Sequence, residues 1–210
     1  AEGTLGVITA ASLRLFPVPR DVATAFVAVP DPRAAVELLA RLRESSGDRV
    51  SSFELLPEVA LRLAERHVPG VSAPLGAGSP WYVLCELSSP RADEGLGALL
   101  EAELGRALAA ALVTDAAIAQ GERQRQAFWR RRESIPEAQT REGASLKHDV
   151  SVPVASLPEF IERGRRWLDA HVPDGVLVAY GHVGDGNLHF NVNEARGAAA
   201  GVLQAPQATI

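Results

Sequence analysis

Residues 178–193 constrain the fold more than any other segment, because a strong tight-turn signal, Asp185-Gly186, lies between two runs of alternating residues. Two such runs joined by a tight turn predict an antiparallel β-hairpin. Antiparallel strands can be joined by a short turn, whereas parallel strands need a long crossover. The segment therefore favours a fold with antiparallel pairing.

Upstream of the hairpin, strand-like and helix-like segments alternate. Predicted strands cover residues 25–29, 49–56, 81–87, 113–119 and 147–152; predicted helices begin at 32, 57 and 156 and cover about 91–111 and 121–141. Ser156 and Glu159 have the spacing of a capping box. The alternation also fits a parallel sheet, but no phosphate-binding loop follows any strand. We therefore expect an α+β fold, an antiparallel sheet covered by helices.

The turn also predicts which hairpin residues share a face. A loop of two residues and a loop of four residues centred on the turn give the same register, in which His182 faces His189 and Tyr180 faces Asn191. These four form a polar stripe. The opposite face holds only apolar residues and glycine: Ala179, Gly181, Val183, Leu188, Phe190 and Val192.

The histidine pair has two interpretations. A single histidine on a sheet surface is usually an ordinary polar residue. Two histidines on one polar stripe beside a Gly-Asp-Gly turn favour a metal or catalytic site instead. Their spacing does not choose the metal. A catalytic zinc site commonly has three protein ligands, and Glu194 points to the other face, so we expect the third ligand outside the hairpin.

Two further segments offer anion-binding side chains. Lys147 alternates to one side of its predicted strand with Asp149 and is a candidate anion binder; the alternative is a solvated edge lysine paired with Asp149. His148, on the apolar side, is expected to be structural. Five arginines crowd one predicted helix, and such a run is by default a solvated face. Any one of these arginines could bind a carboxylate with two hydrogen bonds, and their spacing does not show which one does. They are Arg123, Arg125, Arg130, Arg131 and Arg132.

Charge and composition limit the partners and the compartment. The chain has 21 Lys and Arg against 26 Asp and Glu, so we expect no nucleic-acid partner. Cys85 is the single cysteine and lies in a predicted buried strand, which fits a reducing compartment. No apolar run is long enough to span a membrane, and no signal-peptide pattern occurs. We expect a cytoplasmic protein, with peripheral membrane association left open.

Four segments, in this order, resemble the FAD-linked oxidases of the vanillyl-alcohol oxidase type, in the branch of D-lactate, glycolate and D-2-hydroxyglutarate dehydrogenases. The segments are Glu2-Gly-Thr-Leu-Gly-Val-Ile-Thr9, Arg132-Glu-Ser-Ile-Pro-Glu137, Lys147-His-Asp-Val-Ser-Val-Pro153 and Gly181-His-Val-Gly-Asp-Gly-Asn-Leu-His-Phe-Asn191. The last is highly specific, and the shared order adds weight to each.

The resemblance implies three parts of the chain. Residues 1–19, a glycine-rich turn and an alternating run that stops at Pro17 and Pro19, correspond to the last strand of the FAD-binding domain. Residues 20–194 correspond to a truncated, ferredoxin-like substrate (cap) domain. Residues 195–210 do not follow the family pattern and are expected to form an irregular tail.

The resemblance also assigns roles to individual residues. FAD contacts fall on Glu2, Gly3, Thr4, Gly6 and Ile8. A divalent metal, typically zinc, is implied at His182 and His189, with Arg132, Lys147 and Asn191 contacting the substrate. The metal and cations would fix and polarise a 2-hydroxy acid, a base would remove the hydroxyl proton, and the Cα hydride would pass to flavin.

Two departures from the family pattern set further expectations. Pro136 stands where a small hydroxylic residue is frequent, which argues against a second substrate carboxylate contact. The Ser-x-Glu-His-Gly segment, which in the family supplies the third metal ligand and the catalytic histidine, does not occur in this sequence. We therefore expect no catalytic residue in this chain, and no activity from these 210 residues alone. A quinone, a cytochrome or an electron-transfer flavoprotein is a candidate electron acceptor, and a homodimer a candidate assembly.

Two other classes of function compete with the flavoenzyme. A flavin-independent metal hydrolase would use the His182/His189 pair with a nearby carboxylate and a metal-bound water. A non-catalytic interaction domain would use neither histidine. Measuring the metal content of His182→Ala and His189→Ala variants distinguishes a metal site from a non-catalytic domain, for which the content would not change.

Overall fold

The computed structural model describes residues 4–76, 78–195 and 203. Fourteen helices and strands follow one another in these residues: β1 (Asp21–Val29), α1 (Pro32–Ser46), β2 (Val50–Pro57), α2 (Glu58–His67), β3 (Trp81–Ser89), α3 (Leu96–Ala109), β4 (Asp115–Ile118), α4 (Glu122–Glu133), α5 (Ile135–Glu142), β5 (Ser145–Leu146), β6 (Asp149–Ser151), α6 (Leu157–His171), β7 (Gly175–His182) and β8 (Asn187–Glu194). Short 3₁₀ turns precede α6 and join β7 to β8.

The strands form one sheet in the order β4-β1-β3-β2-β7-β8-β5, with β6 also paired to β8. Each described pairing is antiparallel. The first four strands, with α1 after β1 and α3 after β3, have the ferredoxin-like arrangement. The β7-β8 hairpin extends this sheet beyond β2. The predicted α+β class with antiparallel pairing is confirmed.

Helices cover both faces of the sheet, because its strands bury side chains on both sides. In β1, Ala25 and Val27 pack toward α1 and α3, whereas Phe26 and Ala28 pack toward α2 and α4. Helix α6 extends the first helical layer over the hairpin, and α5 extends the second. The predicted polar stripe of the hairpin lies on the α2, α4 and α5 side.

The predicted helix that begins at residue 32 is confirmed, and its two ends show why it forms. Asp31 accepts a hydrogen bond from the Ala34 N–H at 2.9 Å, and Pro32 occupies the first turn, where its missing N–H costs nothing. Gly47 ends the helix in a left-handed conformation with φ of 63°.

The prediction of one helix over 121–141 is wrong, since the helix is interrupted at Ser134, between α4 and α5. Pro136 lacks an N–H, and its ring would clash with the carbonyl four residues earlier in a continuous helix. Arg132 consequently lies in the last turn of α4, next to the break.

One predicted helix start and one predicted helix cap are wrong, although α6 does begin directly after Ser156. Helix α3 begins at Leu96 instead of about 91, after Gly95 in a left-handed conformation with φ of 74°. The capping box does not form: Ser156 ends a 3₁₀ turn and makes no side-chain capping bond. The sequence pattern does not reveal these two differences, because the residues of the preceding turns also fit a helical spacing.

The predicted strand 147–152 is split into β5 and β6, although the register against β8 continues across the gap. Leu146 pairs with Val192 and Asp149 pairs with His189. Between them, the His148 N–H donates to the Asn191 side chain at 3.2 Å instead of to the facing backbone. A side-chain acceptor has replaced one bond of the ladder.

The described residues 6–19 form neither helix nor strand, so the predicted strand is not present in this structure. Their large apolar side chains are exposed: Val7, Ile8, Leu13, Leu15, Phe16 and Val18. A strand needs a paired neighbour for its backbone groups, and none of the described strands supplies one. The assignment of this segment to a preceding domain stays a prediction. Most of the predicted tail lies outside the described residues, but Leu203 is buried against α6 and β8.

Candidate functional site

The predicted polar face of the hairpin is confirmed, but its predicted register is wrong by two residues. His182 pairs with Asn187, and His189 pairs with Tyr180. The loop is residues 183–186, because Val183 is buried in the core and starts a 3₁₀ turn that ends at Gly186. A shift of two keeps side chains on the same face. The histidines are therefore diagonal neighbours on that face instead of directly opposite.

His182 is held by a carboxylate from the neighbouring strand. Glu54 of β2 pairs in register with His182, and its Oε1 contacts His182 Nδ1. This is an ion-pair contact and lacks the angles of a regular hydrogen bond. Glu54 is fully buried, whereas the His182 side chain is 54% exposed.

His189 has a similar arrangement with a more exposed acid. Its Nδ1 lies 2.6 Å from Oδ1 of Asp149, the residue paired with it on β6. The ring of Tyr180 packs against the His189 ring at 4.8 Å between centroids. In both site histidines, Nδ1 contacts a carboxylate. Neither Nε2 has a hydrogen-bond partner among the described residues.

Arg132 is the one of the five arginines that contacts Glu54 and Tyr180 in the described residues. Its Nε donates to Glu54 Oε2 at 2.9 Å, and its guanidinium carbon lies 5.1 Å from the centroid of the Tyr180 ring. Arg132 is 9% exposed, and among the described residues none accepts from its two terminal nitrogens. The neighbouring arginines are held elsewhere: Arg125 by Glu122 and Glu86, Arg130 by the Pro69 carbonyl, and Arg131 by Glu65.

Asn191 is buried inside a network of amides. Its Oδ1 accepts from the His148 N–H, and its Nδ2 donates to Gln139 of α5 at 3.1 Å. Gln139 in turn donates to Asn193 at 2.7 Å. Asn191 is 3% exposed, so in this structure it connects α5 to the edge of the sheet.

Lys147 is exposed between β5 and β6, beside α5. Its Nζ lies 3.5 Å from Thr140 Oγ1, a long contact that leaves the ammonium available. The alternative pairing with Asp149 is not formed among the described residues, where Asp149 pairs with His189 instead. Lys147 thus remains a candidate anion binder.

Tyr180 is a neutral phenol in this setting. Burial raises the pKa of Tyr180 to about 12, with Asp149 and Glu54 adding to the shift against the opposing field of Arg132. The phenol keeps its proton at neutral pH. It can pack and donate a hydrogen bond, but it is a poor general base.

Comparison with known families matches residues 18–203 to the FAD linked oxidases, C-terminal domain. This match covers most of the chain and includes every element described above. The chain belongs to this family.

Curated relatives of this FAD-linked oxidase domain are dehydrogenases. The D-2-hydroxyglutarate dehydrogenase, mitochondrial, of Arabidopsis thaliana is 36% identical over 198 residues, 93% of this chain and 34% of the relative. The Bos taurus protein of the same name is 38% identical over 91% of this chain and 34% of the relative. The Xanthomonas citri D-2-hydroxyglutarate dehydrogenase is 34% identical over 91% of this chain and 39% of the relative. The chain therefore spans somewhat over a third of these relatives.

A solved structure supports the fold. An alkyldihydroxyacetonephosphate synthase matches with a TM-score of 0.55 and 13% identity, over 92% of this chain and 40% of that one. At this identity the likeness concerns the fold alone. In the part of the chain that the structure describes, no helix is long and apolar enough to cross a membrane.

The family implies FAD, and the residues predicted to contact it lie at the start of the chain. Glu2 and Gly3 fall outside the described residues. Thr4, Gly6 and Ile8 lie in an exposed segment and do not by themselves enclose a flavin. A flavin site built from this segment needs further protein around it.

The two histidines fit a metal site in part. Metal-binding histidines almost always donate their second ring nitrogen to a carboxylate or carbonyl, and both have Nδ1 on a carboxylate. Among the described residues, no three His, Cys, Asp or Glu side chains have metal-binding geometry. The described residues thus do not complete a metal site, and metal binding by His182 and His189 stays a prediction.

Sequence reasoning missed Glu54, Asp149 as a partner of His189, and Gln139. The available signal was Glu54 itself: a charged residue inside the apolar run Phe53-Glu-Leu-Leu56 of a predicted strand. A carboxylate in such a run is buried only when it is paired. The partners come from β7 and α4, far away in sequence, so the pairing was not visible before the fold.

Proposed function

We propose that this chain is the substrate-side part of an FAD-dependent dehydrogenase that oxidises a D-2-hydroxy acid to the 2-oxo acid. The main support for this proposal is the buried carboxylate of Glu54, which contacts His182 with one oxygen and Arg132 with the other. It joins the side chains that we propose to bind the substrate anion and the metal, in a chain of this family. The names of the curated relatives support the substrate class.

Arg132 would hold the substrate carboxylate. Its Nε is engaged by Glu54, so its two terminal nitrogens remain as a planar fork, the geometry that binds a carboxylate with two hydrogen bonds. Lys147 would add a second positive charge at the edge of the site. Asn191 would act indirectly: its hydrogen bonds would keep α5 and the β5–β6 segment in place.

The resemblance to the family implies a divalent metal, which would bind through the Nε2 atoms of His182 and His189. A divalent ion there would polarise the substrate hydroxyl as a Lewis acid. The third ligand and the base that removes the hydroxyl proton would come from outside this chain's described residues. Tyr180 is not that base, because its raised pKa keeps it protonated.

FAD, when bound, supplies the acceptor for the hydride from the substrate Cα. This chain would orient the substrate, and its open polar face fits a site closed by another domain. We propose that the 210 residues alone bind flavin poorly and catalyse no measurable oxidation, since residues 4–8 do not enclose a cofactor.

Within the substrate class, the relatives' names favour D-2-hydroxyglutarate, whereas Pro136 at the start of α5 offers no hydroxyl to a second carboxylate. D-Lactate and glycolate therefore stay in the proposal. A quinone, a cytochrome or an electron-transfer flavoprotein would reoxidise the flavin, and the assembly and compartment stay predictions.

The test is dye reduction by the full-length gene product with D-2-hydroxyglutarate, D-lactate and glycolate. Arg132→Lys keeps the charge but loses the fork, and should lower kcat/KM by about 10- to 100-fold, as expected for a charged hydrogen bond. Arg130→Lys, which loses only a contact to the Pro69 carbonyl, is the matched control and should stay near wild type. No reduction with any of the three acids, from folded and flavin-loaded protein, would refute the proposal.

A further inference from the structure

The whole length of Glu54 is buried in the sheet, and its charge is shared by two partners. Its exposed fraction is zero, and it lies on the face that carries His182, Tyr180 and His189. A buried carboxylate is costly to desolvate unless every oxygen is paired. The partners found here, Arg132 and His182, are two of the residues proposed to act on substrate and metal.

We infer that Glu54 is a positioning residue that fixes Arg132 and His182 together, so that substrate binding and metal binding depend on one carboxylate. The inference rests on the proposed function for what the two partners do. Glu54 itself faces neither substrate nor solvent, so it acts only through them.

On the histidine side, Glu54 selects which ring nitrogen carries the proton. Oε1 is buried, accepts no regular hydrogen bond from the described residues, and lies in ion-pair contact with His182 Nδ1. Leaving a buried carboxylate oxygen without a donor is unfavourable, so the proton of neutral His182 belongs on Nδ1. Nε2 then carries the lone pair and is available as a ligand.

On the arginine side, Glu54 selects which edge of the guanidinium is used. Oε2 takes the Nε–H of Arg132 at 2.9 Å, while the plane packs over Tyr180. The terminal nitrogens are the edge that remains. Tyr180 also packs on His189, so Arg132, Tyr180 and both histidines form one connected group around Glu54.

Glu54→Gln separates positioning from general stability, because it keeps the size of the side chain. An amide has one accepting oxygen, and its NH₂ group cannot accept, so it cannot serve both the Nδ1–H of His182 and the Nε–H of Arg132. One partner must be released. Glu86→Gln is the matched control: Glu86 lies on the same sheet face in β3, is largely buried and accepts from Thr24, Arg125 and Trp129, but contacts no residue of the site.

The experiment measures bound zinc and the separate kcat and KM of the full-length gene product. Glu54→Gln is expected to lose about 10- to 100-fold in metal affinity or in kcat/KM, the usual effect of removing a partner of a metal-binding histidine. Glu86→Gln is expected to change thermal stability alone. If both variants change only thermal stability, or change zinc and kinetics equally, Glu54 does not position the site.

A second measurement does not depend on a variant that folds or on turnover. In the metal-free wild-type protein, ¹⁵N NMR of neutral His182 should show the proton on Nδ1 and a pyridine-type Nε2. A proton on Nε2 would overturn the inference. Wild-type protein that lacks activity but shows this tautomer would count against the proposed function and leave the role of Glu54 intact.

Discussion

At Gly164, helix α6 lies directly against Phe190 of β8. A Cβ built on Gly164 would lie 2.3 Å from Cζ of Phe190, and the Phe190 ring packs edge-on against Phe160 at 5.0 Å. Only the lack of a side chain lets α6 settle on the face of β8 opposite the site.

Gly164→Ala should therefore destabilise the protein by about 1–3 kcal/mol through overpacking. Gly105→Ala in α3 meets no atom within 4 Å and should stabilise by about 0.5–1 kcal/mol, the gain in helix propensity. Thermal or denaturant unfolding of the two variants checks the pair. Equal effects would show that α6 does not pack as described.

At the scale of elements, α2 and α5 are tied together beside the site. Glu142 at the end of α5 contacts His67 Nε2 and accepts from Arg66 Nη1 at 2.8 Å, both from the last turn of α2. Arg141 returns a bond to the His67 carbonyl. Because α5 also carries Gln139, this junction helps to fix the amide network below Asn191.

The junction predicts a pH-dependent stability. Burial alone would raise the pKa of Glu142, but hydrogen bonds from His67 and Arg66 outweigh it and the pKa is lowered. A lowered pKa in the folded state gives stability that is present above the unfolded value, about 4.3, and lost as pH falls through the folded value. Glu142→Gln should cost about 1–3 kcal/mol at pH 7, and the difference from wild type should shrink at acidic pH.

Glu137→Gln is the control for this series. Glu137 is exposed and pairs with Arg141 within α5, a contact worth about 0.3–0.5 kcal/mol. Urea unfolding at pH 7 and near pH 3 measures both variants. A difference for Glu142→Gln that does not depend on pH would contradict the assignment.

Elements also show what the sequence can and cannot predict. The polar face of the hairpin follows from the two-residue period of a strand, which holds for any even shift of register. The register itself depends on Val183, whose burial under the turn moves the loop by one residue. The break between α4 and α5 was signalled by Pro136, but the choice of Arg132 depends on Glu54, which is distant in sequence.

At the scale of the whole molecule, two features are incomplete within this chain. The side chains of His182 and His189 are partly exposed, and residues 6–19 expose apolar side chains without strand pairing. The chain spans somewhat over a third of its curated relatives. We propose that a neighbouring domain closes the site and pairs with residues 6–19, which would account for both features.

The central claim is tested most directly by anaerobic flavin reduction. The full-length gene product, loaded with FAD, should lose the visible absorbance of oxidised flavin when a D-2-hydroxy acid is added, and the L-enantiomer should be far less effective. The 210-residue chain alone should show neither retained flavin nor bleaching. Folded, flavin-loaded full-length protein that stays oxidised with every D-2-hydroxy acid tested would contradict the account.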